Sequence, residues 1–396
     1  MSHPLRLPQV LLLIETSRAY GRGLVEGIAR YAEERGPWSI YFDERGLCDP
    51  LPRWLKNWRG NGIISRTTHK LDMAKLLGVR VPVVELFPNP AMNAPLVRPD
   101  EEAIARLAAE HFLDRGLRNL AFFCTDQGHW ARWREQAFER VVQEHGYHCH
   151  LFNSVRERRL GDKKSRPIDD RKVIRWLHAL PKPCGVFCAT DFHAMQLTRS
   201  CRTCGVLVPE QIAVLGVDND PVICGVCFPR LSSIELGSAR IGYEAAALLD
   251  RMMAGESPPK EGVCVEPVQV ITRQSTDTLA IEDPDMAQAA RLIREQACRR
   301  VRVAQVADIL GLSRRVFEQR FQAALQRNPK EEIVRVQMDR AKMLLSGTDM
   351  SVALVAKESG FTSLAYFSRA FRRQSGLTPR AYRKKHRLSS GSTHLP

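Results

Sequence analysis

Up to about residue 273 the chain alternates short apolar runs with amphipathic stretches: QVLLLI, WSIYF, NGIIS and PVVELF in one batch, then NLAFFC, CHLFN, CGVFC and IAVLGV in another. Unbroken apolar runs of this length suit strands that are covered on both faces, and the helix-period segments between them supply the covers. The pattern predicts an α/β architecture with doubly wound parallel sheets, divided into two lobes of about four strands each. Ligands of such sheets sit outside the carboxyl ends of the strands, so the expected site is the cleft between the lobes.

Towards the end of the chain the pattern changes to short helices written twice. RVAQVADILGLSRRVFEQRF and SVALVAKESGFTSLAYFSRAF share Val303/Val352, Val306/Val355, Ala307/Ala356, Gly311/Gly360 and Ser313/Thr362 at an offset of 49. After the turn, Phe317/Phe367, Phe321/Phe371 and Pro329/Pro379 match at an offset of 50, so one residue is inserted there. Each copy has an apolar-periodic helix, a glycine that can break it in the left-handed region, a Ser or Thr able to cap the next helix, and aromatics at i and i+4. Such a unit is a helix-turn-helix, whose second helix can enter the major groove. The stretch EEIVRVQMDRAKMLLS between the copies has helix periodicity and strong helix formers, which makes it a strut that could hold two such helices on one face of a duplex.

Charge supports this division. Residues 286–396 hold 22 Lys+Arg against 8 Asp+Glu, so nearly all of the +15 formal charge sits in the last quarter. A basic balance confined to one domain is the footprint of a polyanion binder, here double-stranded DNA. The positions left polar or exposed at the second helices are Arg314, Arg315, Glu318 and Gln319 in the first copy, and Ser363, Leu364, Ala365, Tyr366, Ser368 and Arg369 in the second. Arg can clamp a guanine edge, Gln can pair adenine, and an apolar side chain can meet a thymine methyl. The chain divides into an effector module (1–273), a polar linker (274–285, QSTDTLAIEDPD), a DNA-binding domain (286–388) and a short tail (389–396) expected to be disordered.

Eleven cysteines, scattered through 396 residues, argue for reduced thiols. CRTC at 201 and CGVC at 224 resemble zinc ligands, but a helix running from about Asp191 would carry Cys201 and Cys204 roughly 15 Å from the strand ends that precede Cys224 and Cys227. Free thiols and no metal are expected. VLLLI is too short to span a bilayer and no cleavable leader precedes it, which points to the cytoplasm.

After the first strand, Gly21, Gly23 and Gly27 in ETSRAYGRG, with Asp43 and Glu44 downstream, imitate a dinucleotide fingerprint; a nicotinamide-dependent sugar oxidoreductase is the alternative function. The fingerprint's first glycine belongs in the turn directly after the strand, whereas six residues intervene here. No catalytic constellation can be assembled, and no cofactor is expected.

The second copy with its tail, GFTSLAYFSRAFRRQSGLTPRAYR, resembles the DNA-binding domain of the AraC family: a Gly-Phe turn, a Phe-Ser-Arg-x-Phe helix, then Gly-x-(Ser/Thr)-Pro and an aromatic-Arg pair. That resemblance implies base contacts from Arg315, Glu318 and Gln319 in the first unit and Ala365, Tyr366 and Arg369 in the second. The stretch VFCATDFHAMQLTRSCRTCGVLVPEQIAVLGVDND, with the return RLSSIELGSARIGYEAAALL, resembles the second lobe of LacI/GalR and periplasmic sugar-binding proteins. Carried over by motif, Asp191 and Asp218 at strand ends and Arg134 in RWREQAF are the implied sugar contacts; Trp130 and Trp133 offer a stacking face, and Arg18 and Tyr20 in the first loop are further candidates. The helices that open a LacI-type repressor are missing, and the carboxyl-terminal pair replaces them. The combination implies a sugar-responsive regulator, expected to be a homodimeric activator that contacts RNA polymerase, with D-xylose or a related pentose as effector and no membrane partner.

Overall fold

The computed structural model describes residues 7–42, 52–66, 80–88, 94–125, 129–152, 170–259, 261–278 and 283–386. Asp43, Glu44 and the expected tail lie outside the described residues. Strand β1 (Gln9–Leu13) feeds helix α1 (Ala19–Arg35), and β2 (Ser39–Phe42), β3 (Gly62–Ser65) and β4 (Val83–Glu85) join it in a parallel sheet of order β2-β1-β3-β4. The chain then passes through β5 (Val97–Pro99) and helix α2 (Glu101–Leu113) into the second lobe. There β6 (Asn119–Phe123), α3 (His129–Glu144), β7 (Cys149–Leu151), α4 (Asp170–Ala179), β8 (Cys184–Cys188), α5 (Asp191–Thr203), β9 (Ile212–Val217), α6 (Pro221–Val226) and β10 (Ser232–Glu235) alternate. Helix α7 (Ser238–Met253), β11 (Val263–Val265) and β12 (Gln269–Ile271) complete the module. The second sheet runs β12-β10-β9-β8-β6-β7, parallel except for β12, and β11 pairs with β5.

All eight apolar runs become strands, and β1, β3, β8 and β9 are buried along most or all of their length, as two-sided cover requires. Helix α7 leaves the second sheet and packs on α1 of the first lobe. The approach is so close that a Cβ on Gly27 would stand 1.8 Å from the Ala239 carbonyl oxygen, and one on Gly242 2.0 Å from that of Leu24. A Cβ on Gly21 would stand 1.7 Å from the Glu15 carbonyl oxygen. Of the glycines that imitate a dinucleotide fingerprint, Gly21 and Gly27 are therefore accounted for by close backbone approach, and Gly23 by the Ser238 side chain packed against it.

Gln274–Thr276, in the expected linker, forms a 3-10 turn stitched into the second lobe. Ser275 Oγ donates to Val214 O at 2.6 Å, and the Thr276 hydroxyl meets Ser232 Oγ at 2.7 Å and His111 Nε2 at 2.8 Å.

The basic domain consists of α8 (Pro284–Gln296), α9 (Val303–Ile309), α10 (Arg314–Leu325), α11 (Pro329–Gly347), α12 (Val352–Glu358), α13 (Leu364–Ser375) and α14 (Pro379–His386). Gly311 and Gly360 break the first helix of each unit at φ +64° and +88°. Ser313 caps α10, but the cap of α13 is Ser363 and not Thr362, because the inserted residue falls inside the turn. The strut α11 enters two cores: Ile333 packs with Phe317 and Phe321 of the first unit, while Met338, Ala341 and Leu345 pack with Phe361, Phe367 and Phe371 of the second.

Asp114, at the carboxyl end of α2, ties this domain to the effector module. Its carboxylate pairs with Arg327 and, at 3.4 Å, with Arg335, while its carbonyl oxygen accepts from Arg327 and Arg294. All three arginines also pair with the fully buried Glu332. Burial raises the Glu332 pKa, but the hydrogen bonds and charge of Arg335, with the charges of Arg327 and Arg294, overcome that and hold it at about 2. A carboxyl depressed in this way contributes stability above its ordinary pKa near 4.5 that is lost as pH falls towards 2. Glu332→Gln is expected to cost about 3–5 kcal/mol in chemical denaturation at pH 7, since it leaves buried guanidiniums unmatched. The wild type should approach the variant's stability between pH 4.5 and 2; an unchanged midpoint at pH 7 would refute the assignment.

Candidate effector site and DNA interface

Between the lobes lies a cleft with roughly 790 Å³ of space between its walls, open solvent at its mouth included. Its wall is assembled where strands end. Glu15, Arg18 and Tyr20 follow β1, Arg66 follows β3, Leu86 and Phe87 follow β4, Glu101 opens α2, and Asp218 and Leu236 follow β9 and β10. Trp130, Trp133 and Arg134 come from the first turns of α3.

Arg134 is buried and held as a bidentate pair by Glu101, with Nε to Oε2 at 2.7 Å and Nη2 to Oε1 at 3.0 Å; Nη1 donates to Ala189 O. It lines the cleft as expected, yet each of its nitrogens already has a protein acceptor. Arg66 pairs with Glu15 at 2.9 Å and lies over the rings of Tyr20 (5.1 Å) and Phe87 (5.9 Å). Arg98 lies over Trp133 at 5.1 Å and Arg18 over Phe192 at 5.3 Å. Arg18, Tyr20, Trp130, Trp133 and Asp218 line the same cleft.

Asp191 does not line the cleft, and its expected sugar contact needs correction. It is the first residue of α5, buried behind the wall with both oxygens engaged: Oδ1 accepts from Ser233 Oγ at 2.5 Å, and Oδ2 from Asp220 N at 2.7 Å and Cys224 Sγ at 3.4 Å. Burial first, then the neighbouring Asp218 charge, raises its pKa far above the carboxylate range. Its work is to hold the turn in which Asp218 and Asn219 take φ of +108° and +51°. Residues kept in such sparsely populated backbone regions cluster at functional sites. The turn presents Asp218 to the cleft, where burial raises the pKa to about 6 against the opposing charges of Arg134, Arg18 and Arg66.

Sequence reasoning missed Glu15, Arg66, Phe87, Arg98, Glu101 and Thr190. Glu15, Arg66 and Phe87 directly follow strands, so the carboxyl-end rule applied strand by strand would have found them; Arg98 lies in β5 and has no such signal.

Cys201, near the end of α5, and Cys224 and Cys227, on and after α6, are buried in one hydrophobic cluster that spans the sheet face. Burial pushes the Cys201 thiol up to about 12. Among the described residues no group of three or more His, Cys, Asp or Glu could hold a metal ion.

Three family models match the chain: XylR N-terminal domain over residues 9–89, periplasmic binding protein-like domain over 109–276, and helix-turn-helix domain over 306–385. The xylose operon regulatory protein of Escherichia coli (strain K12) is 30% identical over 95% of this chain and 96% of its own length. The chain belongs to the xylose operon regulator family. The Haemophilus influenzae protein of the same name is 28% identical over 95% of this chain and 98% of its own. A solved structure of the xylose-binding transcription activator XylR aligns with a TM-score of 0.60 at 28% identity, covering 96% of this chain and 98% of that one. These relatives are transcription regulators and not enzymes, which sets the oxidoreductase alternative aside.

In the DNA-binding domain of this family member, the second helix of each unit turns its polar side outward. Arg314, Arg315 and Gln319 are exposed on α10, with Arg314 paired to the partly exposed Glu318 at 2.8 Å, an exposed pair that holds neither residue firmly. Leu364, Ala365, Tyr366 and Arg369 are exposed on α13, and Ser368 is half-buried. The Ser363 hydroxyl accepts from Tyr366 N, so it is committed to capping.

Asp218 gives the cleft a pH signature. As a carboxylate it accepts from ligand hydroxyls; protonated, it loses that capacity. With its pKa at about 6 amid Arg134, Arg18, Arg66 and Asp220, affinity for a neutral sugar should be level above pH 7 and decline through pH 6. Calorimetry from pH 5 to 8 checks this, and Asp218→Asn should be weaker and flat across the range.

Proposed function

We propose that this chain is a cytoplasmic transcription regulator in which a small sugar, bound between the lobes, changes how a homodimer presents its paired helix-turn-helix units to an operator. The observation that carries this reading is helix α2, which places Glu101 in the cleft wall and Asp114 in the ion cluster shared with the DNA-binding domain. A ligand that favours one arrangement of the lobes therefore acts on an element that the DNA-binding domain also grips. The xylose named for the relatives makes D-xylose and other pentoses the first effector candidates. The family and the outward placement of Arg315, Glu318, Gln319, Ala365, Tyr366 and Arg369 support sequence-specific binding, with activation through RNA polymerase as the mode. No helix among the described residues is long and apolar enough to cross a membrane.

Titrating pentoses into the protein bound to DNA from upstream of its own gene cluster tests the coupling. Operator affinity should change with effector, and no change in affinity or transcription with any sugar would end this reading. On the same DNA, Arg369→Ala should lose about 1–3 kcal/mol on the specific site and little on random sequence. Equal losses would make it a phosphate contact.

Val222, Val226 and Phe228, on and after α6, are 64%, 69% and 74% exposed, and we propose that they pack against a second copy of the chain. Phe228→Asp should shift the full chain to monomer in light scattering, whereas an unchanged mass would move the interface elsewhere.

A further inference from the structure

The cleft carries more positive charge than its own carboxylates match. Four guanidiniums line it, from Arg18, Arg66, Arg98 and Arg134, against the carboxylates of Glu15, Glu101 and Asp218. Glu15 is taken up by Arg66 and Glu101 by Arg134. Among the described residues Arg18 and Arg98 form no salt bridge with a carboxylate, and the charge of Arg18 acts on Asp218 from a distance: Arg98 donates to the Pro99 carbonyl at 3.3 Å and stacks on Trp133, and Arg18 lies over Phe192. An aromatic face attracts a cation through its quadrupole but accepts nothing from the in-plane N–H fork, so most donors on both arginines stay available. Asp218 makes no side-chain hydrogen bond among the described residues and faces the same cavity.

The resulting donor set is unequal. One carboxylate is open to sugar hydroxyls, and two guanidiniums are open to an anion, in a wall that also includes Tyr20, Leu86, Phe87 and Leu236. A neutral pentose could satisfy Asp218 but would leave both forks without an anion. A carboxylate or phosphate matches a guanidinium fork bidentately, and the apolar wall strengthens the attraction by excluding water. We propose that the effector is an anionic sugar, a polyhydroxylated skeleton whose hydroxyls meet Asp218 and whose single carboxylate or phosphate is held by Arg18 and Arg98. This rests on the cleft being the effector site and names the class of ligand it takes.

The test is calorimetry on the full chain with matched ligands: D-xylose against D-xylonate, D-glucose against D-glucuronate, and D-ribose against D-ribose 5-phosphate. At least one anionic member should bind about tenfold or more tightly than its neutral parent, the scale of a charge-assisted hydrogen bond. The carboxylate and phosphate arms distinguish the two sources of charge. The anion's affinity should fall between about 0.05 and 0.5 M NaCl while the neutral parent's stays level. Arg18→Gln and Arg98→Gln should each weaken the anion about tenfold and the neutral parent less than about twofold. Neutral sugars binding as tightly as every anionic partner in the wild type would overturn the proposal and leave the sugar-sensor reading standing; equal losses in the variants would do the same. Binding by none of the six would take the sensor reading down with it.

Discussion

Helix α2 has a charge to be matched at each end, and the cleft and the domain junction are arranged around those two requirements. At its amino end, Asp100 caps the helix and Glu101 follows, where the helix dipole favours negative charge. Glu101 is nearly buried, so it also needs Arg134, and that pair fixes one wall of the cleft. At the carboxyl end the dipole opposes Asp114, and arginines from the DNA-binding domain supply the compensation. Thirteen residues of helix separate the two sites, a rigid span of about 20 Å. Neither end can shift by much without exposing a buried charge, which is why one helix can serve both the cleft and the junction.

The DNA-binding domain meets a comparable constraint with a single strut. Because α11 lends its first half to one core and its second half to the other, the two helix-turn-helix units cannot rotate independently without opening a core. Gln337 reinforces this near the middle: its amide donates to the carbonyl of Ala297, which shares the core of the first unit, and Gly360, the turn of the second, sits so close that a Cβ there would stand 2.7 Å from Gln337 Nε2. The glycine at 360 thus answers two needs, a positive φ and a close approach to the strut.

These features were unequally legible in the sequence. Two-sided burial writes itself as unbroken apolar runs, so eight strands and the double winding could be read directly; β5, β10, β11 and β12, three or four residues each, lie outside those runs. The repeat revealed both turns, but an alignment cannot say on which side of a turn an inserted residue falls, and the cap moved from Thr362 to Ser363. Composition misled at Gln274–Thr276: small hydroxyl residues look like a linker until their partners, Val214 O, Ser232 and His111, are known. At the cleft, a motif can mark Asp191 and Asp218 as acidic strand-end residues. Only the fold shows that three donors claim one of them while the other faces the cavity.

The pairing of arginines with rings explains how so many cations share one small cleft. Four guanidiniums lining one small cleft repel one another, and a buried one such as Arg134 would cost several kcal/mol if left unpaired. Two are neutralised by carboxylates, and all four lie over aromatic faces, those of Tyr20, Phe87, Trp130, Trp133 and Phe192. The stacking orients each planar fork and recovers part of the lost hydration without consuming its donors. Asp218 meets the opposite condition. Its backbone is strained, its carboxyl group lacks a hydrogen-bond donor among the described residues, and its pKa is raised by burial despite three nearby arginines. A group held in that state is stabilised by whatever brings donors to it, and the cleft is the open approach by which a ligand can do so.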